Sequence, residues 1–218
     1  MVLYFVADRG DAHYLPAVID IYESSIKAAE RKPSKDIARA YGGGSSVFVL
    51  AREGAQALGF SMLTPLEPAG QVWLMEYMAV AASCRSQGVG QNIFRLAMDE
   101  IERRGSPATC LLEVNVPIPG QSTYVLDAAR FRFYASLGCA RLDGLHYDLP
   151  LDAAPPPMCL LEHGWAAGTA IPKSALAAWL SEIYGEIYGG RRDDPRIARM
   201  LSPLAEDIAL VPVVVAPA

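Results

Sequence analysis

The stretch Glu76 to Ile101, EYMAVAASCRSQGVGQNIFRLAMDEI, joins an apolar segment to an amphipathic one through Arg85, Ser86, Gln87, Gly88, Val89 and Gly90. Upstream, Val72 to Val80 carries the branched and aromatic residues of a strand; downstream, Gln91 to Arg104 is amphipathic, as a helix would be. A glycine-bearing turn at a strand-to-helix junction aims unpaired backbone N–H groups at one point ahead of the helix, where the dipole also favours negative charge. That describes a phosphate cradle. Gly88 and Gly90 would equally serve a plain tight turn that needs positive φ or close packing, and the local sequence alone does not separate the two.

The whole run resembles the acetyl-CoA loop of the GNAT N-acetyltransferases, in which a pattern R/Q-x-x-G-x-G/A follows the fourth strand and opens the third helix. A second block of that family, an aromatic-Tyr pair followed by Leu-Gly, is matched by Phe133, Tyr134, Ala135, Ser136, Leu137 and Gly138, and the strand-like LLEVNV separates the two blocks. The resemblance covers roughly residues 1 to 150. It implies an α/β GNAT fold: a central mixed, mostly antiparallel sheet splayed between its fourth and fifth strands, helices on both faces, and residues 151 to 218 as a C-terminal extension.

Working outward from the turn, the pattern predicts a first strand over Met1 to Ala7 and a helix over Asp11 to Ala29, with Asp11 as its cap. A short helix follows from Ser34 to Tyr41, ended by Gly42 to Gly44. Ser46 to Arg52 and Ala57 to Thr64 read as strands around Glu53 and Gly54, and a turn at Pro68 to Gly70 leads into the long third strand of this set. Cys110 to Val116 is a further strand, Pro117 to Asp127 a loop, Ala128 to Leu137 a helix with Gly138 at C′, and Ala140 to Leu149 the last family strand. The proline run Asp152 to Pro157 reads as a linker, Met158 to Glu162 as a strand, and Lys173 to Tyr188 as a helix with one broad apolar face. Ile208 to Val215, interrupted by Pro212, reads as an edge strand or a cover for an apolar face of this chain or of a second subunit, so a homodimer is among the expectations.

Over 218 residues, 19 basic against 24 acidic side chains leave a net charge of −5, which argues against a general nucleic-acid or anionic-membrane surface. Cys84, Cys110, Cys139 and Cys159 form no CxxC pair, so neither a zinc clamp nor dithiol chemistry is indicated and no metal is expected. Met1 to Ala7 is too short and unbasic for a signal peptide, and no apolar run reaches the roughly 20 residues a membrane helix needs. The expected location is cytoplasmic, with reduced thiols.

Acetyl transfer to an amine needs a docked thioester, a neutral amine and a proton for the departing thiolate. By the family resemblance, the backbone of Gln87 to Gln91, with Ser86, Gly88, Val89 and Gly90 shaping the turn, cradles the diphosphate of acetyl-CoA, and Arg85 adds charge. Met78 and Val80 lie against the pantetheine arm, where a backbone N–H polarises the thioester carbonyl. The alternative for these two is ordinary core packing. Tyr134 matches the family tyrosine that protonates the coenzyme thiolate, its alternative being an aromatic residue on a buried helix face beside Phe131. The family often has Asn seven residues before that tyrosine; here the position is Asp127, and Asn115 is the candidate substitute for holding the arm.

For the base, Glu76 and Glu113 each interrupt an apolar strand, which is costly unless the carboxylate is paired or useful. Strand alternation places Glu76 with Met78 and Val80 on one face, so Glu76 is a candidate to face the acceptor. Either carboxylate would take the amine proton, directly or through water, or bind a cationic substrate; the alternative is a salt bridge to Arg130, Arg132 or Arg141. His146 is read as a structural hydrogen-bonder and the cysteines as small apolar residues. The expected function is therefore acetyl-CoA-dependent transfer of an acetyl group to a primary amine of a small molecule or peptide by direct attack. The rival is a non-catalytic acyl-CoA-binding or scaffolding protein; a Rossmann-type domain is opposed by the three consecutive strands from Ser46 to Val80. The loop Glu30 to Pro33, mixed in charge, leaves the acceptor open.

Overall fold

A computed structural model of the protein describes residues 1–66, 71–150, 157–166 and 168–215; the expected turn at Pro68 to Gly70 and most of the proline run from Asp152 lie outside them. The chain divides into two compact units, Met1–Ala108 and Thr109–Ala218.

The first unit holds β1 (Val2–Val6), α1 (Leu15–Ser25), α2 (Ser34–Gly43), β2 (Val47–Glu53), β3 (Gln56–Pro65), β4 (Val72–Val80) and α3 (Val89–Arg104), with β1, β2, β3 and β4 adjacent in that order and antiparallel. Its core sets Val18, Ile21 and Tyr22 of α1 and Ile37 and Tyr41 of α2 against Phe48, Leu50, Phe60, Met62, Tyr77 and Ala79 of the sheet. The helix start departs from the sequence-based reading, since a short 3-10 helix, Arg9–Tyr14, precedes α1. Asp8 caps that short helix by accepting from Gly10 N–H at 2.6 Å, while Asp11 reaches back to Asp8 N–H at 3.1 Å. Pro16 then opens α1, which needs no side-chain cap because its missing N–H would be unpaired there anyway.

α3 covers β1 to β4 through Val89, Ile93, Phe94, Ala97 and Ile101. A Cβ on Gly59 would stand 2.8 Å from the carbonyl oxygen of Ala79 and 2.9 Å from Ile93 Cδ1, so only glycine lets α3 settle this close to β3 and β4. On β4, Tyr77 faces Met62 but Met75 faces Leu63, so Glu76 is the extra residue of a β-bulge.

The second unit holds β5 (Thr109–Asn115), α4 (Tyr124–Ser136), β6 (Ala140–Leu142), β7 (Met158–His163), β8 (Ile171–Pro172), α5 (Lys173–Glu182), α6 (Pro195–Leu201), β9 (Asp207–Ile208) and β10 (Leu210–Pro212). Its sheet runs β5-β7-β6-β10, all antiparallel, with β8 and β9 forming a separate small pair. α4 begins at Tyr124, earlier than the sequence suggested, because Thr123 already accepts from Leu126 and Asp127 N–H. It ends as expected, with Gly138 at φ +84°. The sequence-based boundary at Pro150 does not coincide with the division of the chain: β7 lies beyond Pro150 and yet stands between β5 and β6. Pro212 is on the outermost strand, where a missing N–H costs no ladder bond. α5 continues into a π-helical turn, Ile183–Ile187.

Glu162 on β7 is 3% exposed and accepts the backbone N–H of Trp165. Burial pushes its carboxyl above the usual range. Folding therefore favours the neutral acid, an advantage present in full below the unfolded carboxylate range and lost as pH rises through the raised value. Glu162→Gln keeps an acceptor for Trp165 and removes the charge, so thermal denaturation should show a gain of about 1 kcal/mol at pH 8, roughly 2–4 °C in Tm, that vanishes near pH 4.

Candidate functional site

The cradle is built on two left-handed residues. Ser86 has φ +61°, the single positive φ at a non-glycine position among the described residues, and Gly88 has φ +79° as N-cap of α3. The first helical bond runs from Asn92 N–H to Gly88 C=O at 3.1 Å, leaving the N–H groups of Val89, Gly90 and Gln91 with no acceptor in the helix. Nothing stands within 4 Å of where a Cβ on Gly88 would sit, so that glycine answers to backbone conformation and not to crowding. Exposed residues Arg85 to Gly88, a nest-like backbone and a free helix N-terminus fit a diphosphate.

Arg85 does more than supply charge. Its Nε donates to Val80 C=O at 3.1 Å and its Nη2 to Ser25 Oγ at 3.1 Å, tying the turn to the ends of β4 and α1. Gln87 Nε2 closes the turn from within by donating to Ser83 C=O at 2.9 Å. Met78 and Val80, both half-buried, pair with Ser61 and Gly59 on the strand leading into the turn.

Glu76 does not share their face. The bulge turns it to the side of Tyr77, where its Oε2 accepts from Lys32 Nζ at 2.5 Å and its Oε1 from Thr64 Oγ1. Strict alternation failed here because the extra residue shifts the side-chain phase by one. The partner is Lys32 of the α1–α2 loop, and none of the arginines considered from sequence: Arg130 is bound by Asp127 at 3.2 Å. The same loop residue is clamped on its backbone, since Lys32 N–H donates to Tyr77 Oη at 3.2 Å and Tyr22 Oη donates to Lys32 C=O at 3.0 Å. The Glu76 side chain is 4% exposed and that of Lys32 14%, so removing either partner would strand a buried charge.

In the second unit, Glu113 lies on β5 opposite Leu160, and Asn115, 2% exposed, opposite Met158. Each Glu113 oxygen accepts a phenol: Oε1 from Tyr147 and Oε2 from Tyr188 at 2.5 Å. These tyrosines lie 34 and 75 residues away in sequence, and no local pattern pointed to them. Tyr134 is buried on α4, and desolvation pushes its phenol well above the ordinary range, opposed by the Arg130 guanidinium, so it stays protonated. His146 is exposed on the segment after β6. Cys110, Cys139 and Cys159 are buried free thiols, and burial pushes Cys139 and Cys159 up to about 12, which keeps them protonated and inert. No helix among the described residues is long and apolar enough to cross a membrane.

Residues 15–118 match the family model described as Acetyltransferase (GNAT) family. No curated protein matches the chain in sequence. Among solved structures, a Bacteroides thetaiotaomicron protein assigned to the GNAT acetyltransferases is 14% identical with a TM-score of 0.67, over 87% of this chain and 99% of that one. The ribosomal-protein-S18-alanine N-acetyltransferase of Escherichia coli is 19% identical with a TM-score of 0.53, over 77% and 97% of the two chains. An aminoglycoside 6'-N-acetyltransferase solved with coenzyme A is 16% identical with a TM-score of 0.55, over 74% and 96%. At these identities the likeness is one of fold, and the fold is the α/β GNAT fold whose enzymes use acetyl-CoA. With a left-handed turn opening α3 and the family model matching across that turn, residues 15–118 of this chain are similar to the acetyltransferases of the GNAT family.

Proposed function

We propose that the protein is an acetyl-CoA-dependent N-acyltransferase that moves an acetyl group to a primary amine of a small molecule or peptide by direct attack. The observation that carries this reading is the turn from Arg85 to Gly90, whose left-handed Ser86 and Gly88 and unpaired α3 amides suit a diphosphate. Acetyl-CoA supplies the activated thioester. Val89, Gly90 and Gln91 N–H groups hold its diphosphate, Ser86 and Gln87 shape the cradle, and Arg85 steadies it from behind. Met78 and Val80 line the pantetheine arm, with Asn115 as a further contact in place of the family asparagine.

Two proton movements complete the reaction. The Tyr134 hydroxyl gives its proton to the departing sulfur, and a carboxylate takes one from the attacking nitrogen, so the acid and base are each returned by exchange with solvent. Glu113 is the better base, because Glu76 is already closed into an ion pair with Lys32 and acts instead as the anchor of the α1–α2 loop. The phenols of Tyr147 and Tyr188 hold the two oxygens of Glu113 and orient the carboxylate.

A panel of primary amines, scored by thiol release from acetyl-CoA, tests the reading. Tyr134→Phe keeps the ring packing and deletes only the hydroxyl, so binding should persist while turnover falls by about 10²-fold, the usual loss for an acid catalyst. Full activity in that variant would return Tyr134 to a packing role. Heat stabilisation by acetyl-CoA with no turnover on any amine would point to the binding-protein alternative.

A further inference from the structure

We propose that Tyr188, from the C-terminal segment, is a positioning residue that holds the Glu113 carboxylate, so that the segment after Pro150 builds the proton-accepting end of the site. For catalysis this rests on reading Glu113 as the base. The two phenols on Glu113 differ in setting: Tyr147 is 4% exposed, whereas Tyr188 is less fully buried and sits just after the π-helical turn. A π turn inserts one residue into the helical register, a device common at functional sites.

Tyr188 is not a free-swinging side chain. Its N–H donates to Ile183 C=O at 3.1 Å, and Gly190 N–H returns to Tyr184 C=O at 2.9 Å, closing the helix end. The same turn is fastened next to Tyr147: Tyr184 Oη donates to Asp148 C=O at 2.5 Å, and Arg199 of α6 reaches the Asp148 carboxylate at 2.6 Å. Arg196 of α6 lies over the Tyr184 ring, 5.1 Å from its centroid. One frame thus sets Tyr147 from one side of Glu113 and Tyr188 from the other.

Among the groups that face Glu113 in this unit are Tyr147, Tyr184 and Tyr188. Among them, Tyr147 and Tyr188 donate hydrogen bonds to the anion. A donated bond favours the charged form of an acid, so losing one makes the carboxylate take a proton more readily. The consequence is measurable without turnover.

The experiment uses the full-length chain with 13C-labelled glutamate, the Glu113 signal being identified by its absence in Glu113→Gln. In Tyr188→Phe the Glu113 signal should titrate at higher pH than in the parent, and the acid limb of kcat/KM against pH should move up with it. Installing 3-fluorotyrosine at 188, a stronger donor, should move both the other way and serves where Tyr188→Phe folds poorly. A Glu113 titration unchanged in both variants overturns the inference. A titration that moves while the activity profile stays put upholds Tyr188 as the holder of Glu113 and removes Glu113 from the role of base.

Discussion

Cutting the chain after Pro150 is expected to unfold the second unit rather than merely trim it. The cut removes β7, which pairs with β5 along its length, from Cys110 opposite His163 to Asn115 opposite Met158, and which also pairs with β6. It also removes Leu160, Leu161, Leu176, Leu180, Ile183 and Tyr184, each at most 1% exposed. Losing one such side chain costs about 2–5 kcal/mol, against a total stability of about 5–15 kcal/mol for a typical domain. The loss of all six exceeds what any domain holds in reserve. β5 would be left with an open hydrophobic edge, a template for aggregation. Sedimentation and far-UV circular dichroism of residues 1–150 should show aggregated or disordered material. A soluble, cooperatively folding product would mean that β7 is dispensable and that this reading of the sheet is mistaken.

The other large effect concerns the cradle. Acetyl-CoA at one hundred times its Kd should add about 2.7 kcal/mol to the folded state, worth roughly 5–10 °C in Tm for a chain of this size. Gly88→Asp places a side chain on a residue at φ +79° and a negative charge where a diphosphate would lie, so that shift should disappear while the ligand-free Tm changes much less. Gly88→Ala isolates the conformational part and should retain some of the shift; Gly90→Asp should lose it as Gly88→Asp does. Unchanged stabilisation in both aspartate variants would remove the turn from coenzyme binding.

What the sequence determined by itself was what local chemistry determines. Strand and helix patterns from Val2 to Arg104 were legible because their apolar residues repeat at the periods of the elements they form, and the turn at Arg85 to Gly90 was legible because left-handed backbone demands glycine at Gly88. The Phe133 to Gly138 block was legible for the same reason, with Gly138 closing α4 at φ +84°. Tertiary structure decided the rest. A β-bulge, set by how β3 and β4 register, turned Glu76 away from Met78 and onto Lys32, which no alternation rule could foresee. β7 lies beyond a proline run in sequence yet stands between β5 and β6, since strand order is a matter of which surfaces bury together and not of succession along the chain. Glu113 showed only that an acid in an apolar strand needs a reason. That the reason includes phenols from 34 and 75 residues downstream depends on the folding of the C-terminal segment, because a hydrogen bond is specified by where two groups meet in space and leaves no spacing in the chain to read.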